Sequence, residues 1–573
     1  MNQREQNGHE VGREHLRAWQ REIQKNIFQE DQDFKDLIHK YLSKNNPAIE
    51  DELSDFAEKV ILELDPLVTE NNLPLNLPRM ETYDGIGQKI NAIIHHPTYV
   101  GAGNIIYSSH LLERMAKPGG LLEALAFMFL SSQTGEAGHN CPLACSAGII
   151  RVLQKIDNLP EKDFYIQKLI DPSYTNNYTG AQFLTEIQGG SDVGLNATEA
   201  YQDEKGRWRI KGEKWFCSNA DAELILITAR YNPSISGTKG LGLFLIPAQL
   251  TSGEKNHYTL RRLKDKIGTR SMASSEIDFH DAYAFVVGHP EEGFKLVMEN
   301  VLHISRLFNS FCVIGMARRA YHIARSYAMH RIAFGKAIIQ YPLVQENLAQ
   351  IKSENEALLS SIFATTHLQD QFDRSEVKIE KTKLLLRLLA NLNKYLSALW
   401  SVEHIHHSLD VLAGNGAIES FSIIPRLLRD SVVCENWEGT HNTLRMQILK
   451  DILKYHLDEI FILHIETLLS KKIPLDLHQD IILKTIHQLK EKIKFLKSSQ
   501  EELQSLLIKD IVDLMAKLYG ALHLMNDALD QMEKGVQSKK LCLDFFISKH
   551  FNDHAPVYDD EYLNLIKKIV QSR

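Results

Sequence analysis

The sequence predicts a mostly helical α+β protein with a β domain in the middle of the chain. Three observations predict this fold class. Apolar residues recur at helical spacing up to about residue 180, short β-forming runs occupy residues 181–292, and long helical stretches return from residue 293 onward. At 573 residues the chain is too long for one ordinary core, so several packed units are expected.

The first segment, residues 1–180, is predicted to form an N-terminal helical domain. Apolar residues such as Leu37 and Tyr41 recur at helical spacing, and the apolar run 121–130 suits a helix that is buried on most sides. Turn-forming residues around Pro172 mark the end of this domain.

The second segment, residues 181–292, is predicted to be a small antiparallel β-sandwich or barrel. Short runs rich in β-forming residues begin at Trp208, Leu224, Leu243 and Glu276, and Gly, Asn, Pro and Ser separate them. Several such strands in a segment of this length are typical of a closed or two-layered β-fold.

The third segment, residues 293–455, is predicted to be a C-terminal four-helix bundle. An apolar stripe begins at Val297 and continues through Ile304 to Phe311, and three further long helical stretches follow to about Lys454. Four long helices in sequence are typical of a bundle.

The last segment, residues 456–573, is predicted to be a helical hairpin extension. One apolar stripe starts at Ile482 and another at Leu503, each stepping by three and four residues. Between them, Ser499 and Glu502 have the spacing of a capping box for the second helix. We expect one apolar face of the hairpin to pack on the body of the protein or on a partner subunit.

Charge and composition exclude several classes of function. The net charge is −8, and residues 451–573 contain 17 Lys and Arg against 19 Asp and Glu, so no nucleic-acid-binding face is predicted. The longest apolar run is too short to span a membrane, and residues 1–5 are not typical of a signal peptide. Six cysteines without a CxxC pair favour reduced thiols and a cytoplasmic protein.

Two motifs, separated by about 250 residues, carry the chemistry. Residues 184–193 read Leu-Thr-Glu-Ile-Gln-Gly-Gly-Ser-Asp-Val, and residues 437–440 read Trp-Glu-Gly-Thr. In this order and at this separation they resemble the acyl-CoA dehydrogenase family. The resemblance implies an enzyme that uses FAD to oxidise an acyl-CoA substrate, passes the electrons to an electron-transfer flavoprotein, and works as a homo-oligomer, either a dimer or a tetramer.

Glu438 is the candidate base, because oxidation at Cα–Cβ of an acyl thioester requires a group that takes the Cα proton. Glu-Gly-Thr alone is a weak string, and Glu438 could be an ordinary acid near a helix start. The match is longer, however, because Gly414 and Gly416 precede it at the spacing of the family's C-terminal signature. By that resemblance Glu438 is the base, its backbone N–H and a flavin hydroxyl hold the thioester carbonyl, and Thr440 and Asn442 lie near the FAD.

The segment 184–193 is the more specific of the two motifs. A lone Gly-Gly-Ser-Asp is usually a polar hairpin turn, but here the match extends to both sides. A flavin needs donors for its pyrimidine oxygens and N5, and glycines let the backbone come close. The resemblance implies that Leu184, Thr185, Gly190 and Ser191 contact FAD, and that Ser191 also contacts the substrate.

Trp215, Cys217 and Ser218 lie in a segment that resembles the family's Gly-x-Lys-x-Trp strand, whose aromatic residue packs on the flavin. Without its neighbours, Trp215 would read equally well as a core residue at a strand edge. The family often has Thr two places after the Trp, and here Cys217 stands there. A thiol is a weak donor, which shifts the expected contact towards Ser218 or the backbone.

Arg331 and Phe334 belong to a segment that resembles Arg-x-x-Phe-Gly, which in the family contacts the adenine-diphosphate half of FAD across a subunit interface. Arginine suits a pyrophosphate because its fork donates two hydrogen bonds. A surface arginine at a helix end is the competing interpretation. Arg306 stands where the family has an arginine on the first bundle helix near the base, which makes it a candidate substrate residue.

Three departures from the family pattern concern cofactor binding. Pro342 and Asp410 stand where a glutamine is common, and Ala413 replaces the first Gly of Gly-Gly-x-Gly. An aspartate near a pyrophosphate costs binding energy unless it is paired. Several of these departures, together with Trp437, resemble an AidB-like branch of the family. The alternative function is therefore a flavin-containing stress-response or binding protein with little dehydrogenase turnover.

His406 and His407 form the strongest candidate for a metal cluster. Adjacent positions on a helix face apart, and Glu403 with His407 makes only an i,i+4 pair without an evident third ligand. A solvated helix face explains them better, and no metal is predicted.

Overall fold

The computed structural model describes residues 8–469, 478–552 and 557–572. The predictions about the first five residues, and about the short stretches of the extension outside those ranges, concern residues that are not described. The chain divides into two compact units, the helical unit (residues 1–62 and 310–573) and the barrel unit (residues 63–309). Since the first 62 residues group with the C-terminal half, the four-domain division stays a prediction.

The described residues form twenty α-helices and eleven strands, with the large sheet confined to the middle of the chain. Helices dominate, which confirms the predicted α+β fold class. The helices are α1 Gly8–Ile23, α2 Gln32–Ile38, α3 Ile49–Lys59, α4 Asp65–Asn71, α5 Pro97–Tyr107, α6 Leu111–Ala116, α7 Leu121–Ser131, α8 Asn140–Leu153, α9 Lys162–Ile170, α10 Gly293–Leu296, α11 His303–His330, α12 Pro342–Arg374, α13 Glu380–Val411, α14 Ile424–Asn436, α15 His441–Tyr455, α16 Leu457–Leu469, α17 Gln479–Ser498, α18 Glu501–Met532, α19 Ser538–His550 and α20 Asp560–Gln571. The strands are β1 Arg79–Tyr83, β2 Lys89–Ile94, β3 Gly180–Phe183, β4 Glu199–Gln202, β5 Trp208–Ser218, β6 Leu224–Arg230, β7 Leu241–Pro247, β8 Tyr258–Leu263, β9 Ser274–Val286, β10 Ile332–Ala333 and β11 Lys336–Ala337.

The barrel unit is built on one seven-stranded sheet. Its strand order is β3-β6-β4-β5-β9-β7, with β8 beside β9. Strand β6 also pairs with β7, so the ladder closes on itself. All four predicted strands lie in this sheet. The prediction of a purely antiparallel sheet was wrong, because β6 pairs in parallel with both β3 and β4.

Side chains of alternate strand residues fill the barrel. Phe183, Ile210, Phe244 and Phe279 are buried in this core together with Cys217. Such a packed interior fixes the strand ends, and the first candidate cofactor segment follows directly from one of them, β3.

The N-terminal part of the barrel unit is helical except for one hairpin. Helix α7 is buried on nearly all sides, as the apolar run predicts. The prediction of an all-helical segment missed β1 and β2, which pair antiparallel from Arg79 opposite Ile94 to Tyr83 opposite Lys89. The connecting residues 84–88 include an Asp-Gly pair, which is a turn signal at hairpins.

The bundle contains three long helices, of which α12 and α13 lie in the helical unit and α11 enters it at Ser310. The fourth predicted long stretch is two shorter helices, α14 and α15, because residues 437–440 interrupt it. The interruption comes at the Trp-Glu-Gly-Thr motif. The predicted apolar stripe is correct, since Val297, Ile304 and Phe311 are all buried.

The C-terminal extension is larger than the predicted hairpin. Helices α17 and α18 form the hairpin, and α16, α19 and α20 add to it among the described residues. The predicted capping box was wrong. Ser499 closes the last turn of α17, where its Oγ donates to the carbonyl of Phe495 at 2.8 Å, and Gln500 precedes α18 without a side-chain capping bond.

The extension packs on the bundle within the helical unit. Gly520 of α18 packs beside Ala357 of α12, where an added Cβ would be in ordinary contact with the Ala357 side chain at 3.5 Å. A buried ionic chain reinforces this packing. Arg318 pairs with Asp31 at 2.6 Å and with Glu356, and Glu356 accepts from Lys539 of α19 at 2.9 Å. The apolar face of the extension and this chain of buried ion pairs hold the extension against the bundle.

Candidate active site

The first candidate cofactor segment follows β3 and turns back on itself. The Gly189 N–H donates to the carbonyl of Glu186 at 3.0 Å, and Gly189 has a φ of 149°. Gly190 lies against Thr185, where an added Cβ would be 2.6 Å from the threonine hydroxyl. The structure therefore brings the predicted residues Thr185 and Gly190 together, and it requires glycine at residue 190.

Glu186, inside this segment, forms a buried ion pair with Lys214 of β5. The Lys214 Nζ and Glu186 Oε1 lie 2.7 Å apart, and neither side chain exceeds 2% exposure. Glu186 also accepts the N–H of Ala197 at 2.6 Å and that of Thr198 at 3.2 Å. Burial alone would raise the pKa of Glu186, but the Lys214 ammonium and these donors outweigh it and hold the pKa below its ordinary value.

The second candidate segment, on β5, is hydrogen-bonded to the first. The Trp215 N–H donates to the carbonyl of Thr185 at 3.0 Å, and Lys214 Nζ donates to the carbonyl of Leu184 at 3.2 Å. The Lys264 ammonium lies 3.6 Å from the centre of the Trp215 ring. Two segments about 30 residues apart in sequence thus form one surface of the barrel.

The orientation of β5 places Cys217 and Ser218 in different environments, and the assignment of Cys217 to the cofactor stays a prediction. Its side chain is fully buried in the barrel core, and burial raises the pKa of the thiol. A register shift between Lys214 and Cys217 changes the alternation of the strand, and it leaves Phe216 52% exposed. Ser218 is half-buried, and its hydroxyl lies 3.1 Å from that of Ser274. Phe216 and Ser218 are better placed than Cys217 for contact with a ligand.

The two predicted substrate residues occupy different environments. Ser191 is exposed at the end of the first segment. Arg306 lies on α11, and its side chain is buried. Both assignments stay predictions.

The predicted base, Glu438, lies in the turn between α14 and α15. Its side chain is half-buried, and its backbone is left-handed with a φ of 56°. Gly439 follows with a φ of 105°. Left-handed backbone is costly for a residue with a Cβ, and such strain concentrates at functional sites.

The residues after this turn begin α15. Thr440 caps the helix by accepting the N–H of Thr443 at 3.4 Å. Asn442 is exposed, and its Oδ1 accepts from Arg445 at 3.0 Å. Both predicted cofactor residues therefore lie on the first turn of α15, close in sequence to Glu438.

The Gly414 to Gly416 segment forms a tight 3₁₀ turn after α13. An added Cβ at Gly416 would lie 2.3 Å from the carbonyl oxygen of Leu409, so only glycine fits there, whereas Gly414 has open space around it. Ala413, which replaces a family glycine, has a φ of 51°. The backbone thus keeps a glycine-like conformation at that departure.

Arg331 and Phe334 lie on a short hairpin formed by β10 and β11. Phe334 and Gly335 have φ values of 49° and 86°, as in the tight turns that join antiparallel strands. Phe334 is 98% exposed, and Arg331 is exposed beside it. Both side chains are therefore accessible at the tip of the hairpin, and their assignment to the cofactor stays a prediction.

The buried pair of Lys214 with Glu186 supports the candidate segment, and sequence reasoning missed it. The signal was present, because Lys214 belongs to the Gly-x-Lys string and Glu186 to the first motif. A buried lysine nearly always has a charged partner, but only the fold identifies which one.

The sequence analysis predicts neither a metal site nor a membrane-spanning segment. The described residues hold no group of three or more His, Cys, Asp or Glu side chains that could bind a metal ion. Within the same ranges, every helix is too short or too polar to cross a membrane.

Three family models match consecutive parts of the chain. Residues 20–176 match the adaptive response protein AidB N-terminal domain, residues 181–282 match the acyl-CoA dehydrogenase middle domain, and residues 291–453 match the acyl-CoA dehydrogenase C-terminal domain. The three matches follow one another along the chain with short gaps. Together they cover the segments before, within and after the barrel for which a resemblance was predicted.

Similar proteins agree with these matches. The putative acyl-CoA dehydrogenase AidB of Escherichia coli is 29% identical over 66% of this chain and 70% of its own length. The crystal structure of Caenorhabditis elegans ACDH-11 in complex with C11-CoA superposes with a TM-score of 0.85 at 23% identity, over 94% of this chain and 93% of that one. Acyl-CoA dehydrogenase of Bacillus anthracis complexed with FAD has a TM-score of 0.70 at 17% identity, over 93% and 95%. The chain therefore belongs to the acyl-CoA dehydrogenase family, whose members are FAD-dependent enzymes, and to its AidB-like branch.

Proposed function

We propose that this protein oxidises the Cα–Cβ bond of an acyl-CoA thioester, with FAD as its cofactor and Glu438 as its base. The observation that carries the proposal is the backbone of Glu438. A half-buried glutamate in a left-handed turn between two helices is a costly arrangement. Backbone strain of this kind favours a functional carboxylate over an ordinary acid at a helix start.

The residues present fit a flavin dinucleotide. Gly189 and Gly414 have open space where a Cβ would stand, so a ligand can approach their backbone closely. Leu184, Thr185, Trp215 and Ser218 would hold the flavin end, and Arg331 with Phe334 would hold the adenine-diphosphate half of a neighbouring subunit's cofactor. When bound, FAD would supply the acceptor for the hydride that leaves Cβ.

The chain's own residues act on the substrate. Glu438 takes the proton from Cα, while its backbone N–H donates a hydrogen bond to the thioester oxygen, where negative charge develops. Ser191 and Arg306 orient the acyl-CoA. Glu186 is the next carboxylate to consider as a base, but its ion pair with Lys214 assigns it a structural role.

Several finer features belong to the same proposal. ACDH-11 was crystallised with an acyl-CoA, which supports a thioester of this class as substrate and a place in fatty acid metabolism. The exposed Phe334 supports a homo-oligomer in which the hairpin reaches a second copy. An electron-transfer flavoprotein would accept the electrons, and we place the enzyme in the cytoplasm.

The test is anaerobic titration of the purified, FAD-loaded protein with acyl-CoAs of different chain length and branching. Loss of the oxidised flavin absorbance with at least one of them supports the proposal. No bleaching by any acyl-CoA contradicts it and favours the alternative, an AidB-like flavin-containing binding or stress-response protein. A folded protein that neither copurifies with FAD nor takes it up contradicts the cofactor assignment.

A further inference from the structure

The turn that carries Glu438 is held from a third helix. Lys394 of α13 is completely buried. Its Nζ donates to the carbonyl oxygen of Glu435 at 2.8 Å and to that of Gly439 at 2.8 Å. One acceptor therefore precedes Glu438 by three residues, and the other follows it directly.

This arrangement suits a lysine for two physical reasons. The carbonyl of Glu435 belongs to the last turn of α14, where helical carbonyls lack intrahelical partners and carry partial negative charge. The carbonyl of Gly439 lies in left-handed backbone, with a φ of 105°. An ammonium group satisfies both oxygens at once and compensates part of its own burial.

Lys394 with its two hydrogen bonds forms a clamp on the turn, and this clamp acts where the backbone is strained. A left-handed glutamate relaxes to ordinary backbone unless its surroundings over-determine the conformation. By binding the carbonyls on both sides of Glu438, Lys394 fixes the two ends of the turn relative to α13. A bound turn of this kind leaves the direction of the Glu438 side chain little freedom.

We propose that Lys394 is a positioning residue that holds the Glu438 turn in its left-handed conformation and so aims the carboxylate at the substrate Cα. This inference rests on the proposed function only for the identity of the base. A purely structural lysine would contribute to folding without affecting how Glu438 is presented. The two roles predict different effects of a neutral side chain of the same length. The effects to compare are those on the rate of flavin reduction and on local opening of the Glu438 turn.

The experiment compares three variants of the full-length protein loaded with FAD. Lys394→Met keeps the length and removes the donors, and Lys394→Gln keeps two N–H donors without the charge. Lys352→Met is the matched control, because Lys352 is equally buried but donates to Ser538 and Ser572 of the extension.

We expect Lys394→Met to retain FAD and to reduce the rate of anaerobic bleaching by about 10²-fold, the usual effect of misplacing a reacting group by an ångström. The acyl-CoA concentration at half-maximal rate should change little, and Lys394→Gln should recover part of the rate. Lys352→Met should lower the melting temperature and keep the rate. A wild-type rate in folded Lys394→Met overturns the proposal, as does an equal loss in Lys352→Met.

Hydrogen exchange of peptides that cover residues 437–440 separates this inference from the proposed function. Faster exchange there in both Lys394 variants, but not in Lys352→Met, supports the clamp even if no acyl-CoA bleaches the wild-type protein. Unchanged exchange in the Lys394 variants overturns the clamp even if Glu438 proves to be the base. If Lys394→Met does not fold, Lys394→Gln carries both measurements.

Discussion

Glu186 and Glu438 both lie in glycine-containing motifs that resemble cofactor segments of the same family, yet the structure treats them in opposite ways. The carboxylate of Glu186 is buried against Lys214 at 2.7 Å and receives backbone N–H donors. Glu438 is half-buried, and its backbone is strained at a φ of 56°. In the first region the carboxylate stabilises the fold of the segment, and in the second a strained backbone carries a less buried carboxylate.

Each region also contains a fully buried lysine with a different target. Lys214 neutralises the side chain of Glu186, whereas Lys394 donates to the backbone around Glu438. A buried ion pair stabilises only while both partners remain. The comparison therefore predicts that substitutions in the barrel segment mainly lower the free energy of unfolding. Substitutions at the Glu438 turn should mainly lower the rate of flavin reduction.

The largest loss of stability is expected from Glu186→Gln. The substitution leaves Lys214 without its counter-charge in the barrel, and breaking a buried pair in this way costs about 3–5 kcal/mol. Urea unfolding of the variant against the wild type measures the loss. Glu213→Gln, on the strand that carries Lys214, is the matched control, since the pair of Glu213 with Arg261 is exposed and should contribute no more than about 1 kcal/mol. Equal effects in the two variants would contradict the structural role of Glu186.

The pair of Glu186 with Lys214 should also make the free energy of unfolding depend on pH. The folded-state pKa of Glu186 is lower than its unfolded value, so the pair contributes stability above the ordinary pKa of 4.5 and loses it as the pH falls through the folded value. The difference in unfolding free energy between wild type and Glu186→Gln should therefore narrow below about pH 4.5. A difference that stays constant from pH 6 to pH 3 would show that Glu186 is not charged in the folded protein.

Arg331→Ala tests whether the exposed hairpin takes part in cofactor binding. One charge-assisted contact to a phosphate contributes about 1.5–3 kcal/mol, so FAD should dissociate more readily while the fold survives. FAD occupancy after dialysis is the measurement. Lys336→Ala removes a charge from the same hairpin and is the control. Full occupancy in Arg331→Ala would make Arg331 an ordinary surface residue.

The smallest effect is expected from Asp513→Ala in α18 of the extension. Tyr395 donates its hydroxyl to Asp513 and accepts from Arg445, and Arg445 in turn donates to Asn442. Loss of one partly exposed acceptor should cost about 0.5–1.5 kcal/mol of stability. Thermal unfolding against Asp510→Ala, an exposed neighbour on the same helix, measures it. A bleaching rate that falls as far as in Glu438→Gln would mean that the extension controls the site directly.

The fold class and the general place of the site were predictable because they depend on local pattern. The period of apolar residues identified α7 and four of the barrel strands, and the two motifs led to Glu438 and to residues 184–193. The family matches confirm the resemblance that these motifs carry. The assignments of individual site residues stay predictions.

Other features depend on contacts distant in sequence and left no local signal. The partner of Glu186 lies 28 residues later, and Lys394 lies 44 residues before Glu438 on another helix. The burial of Cys217 beside an exposed Phe216 was not predictable, because a register shift in β5 alters the alternation that the sequence implies. The predicted capping box failed because Ser499 closes the preceding helix before it can begin the next.

The most direct test of the account is stopped-flow bleaching of Glu438→Gln beside the wild type, with the best acyl-CoA found by titration. The amide has nearly the same size, so fold and FAD occupancy should survive, but it cannot accept the Cα proton. We predict a loss of about 10²–10⁴-fold or more in the rate of flavin reduction. Equal rates in the two proteins would contradict the assignment of Glu438 as the base.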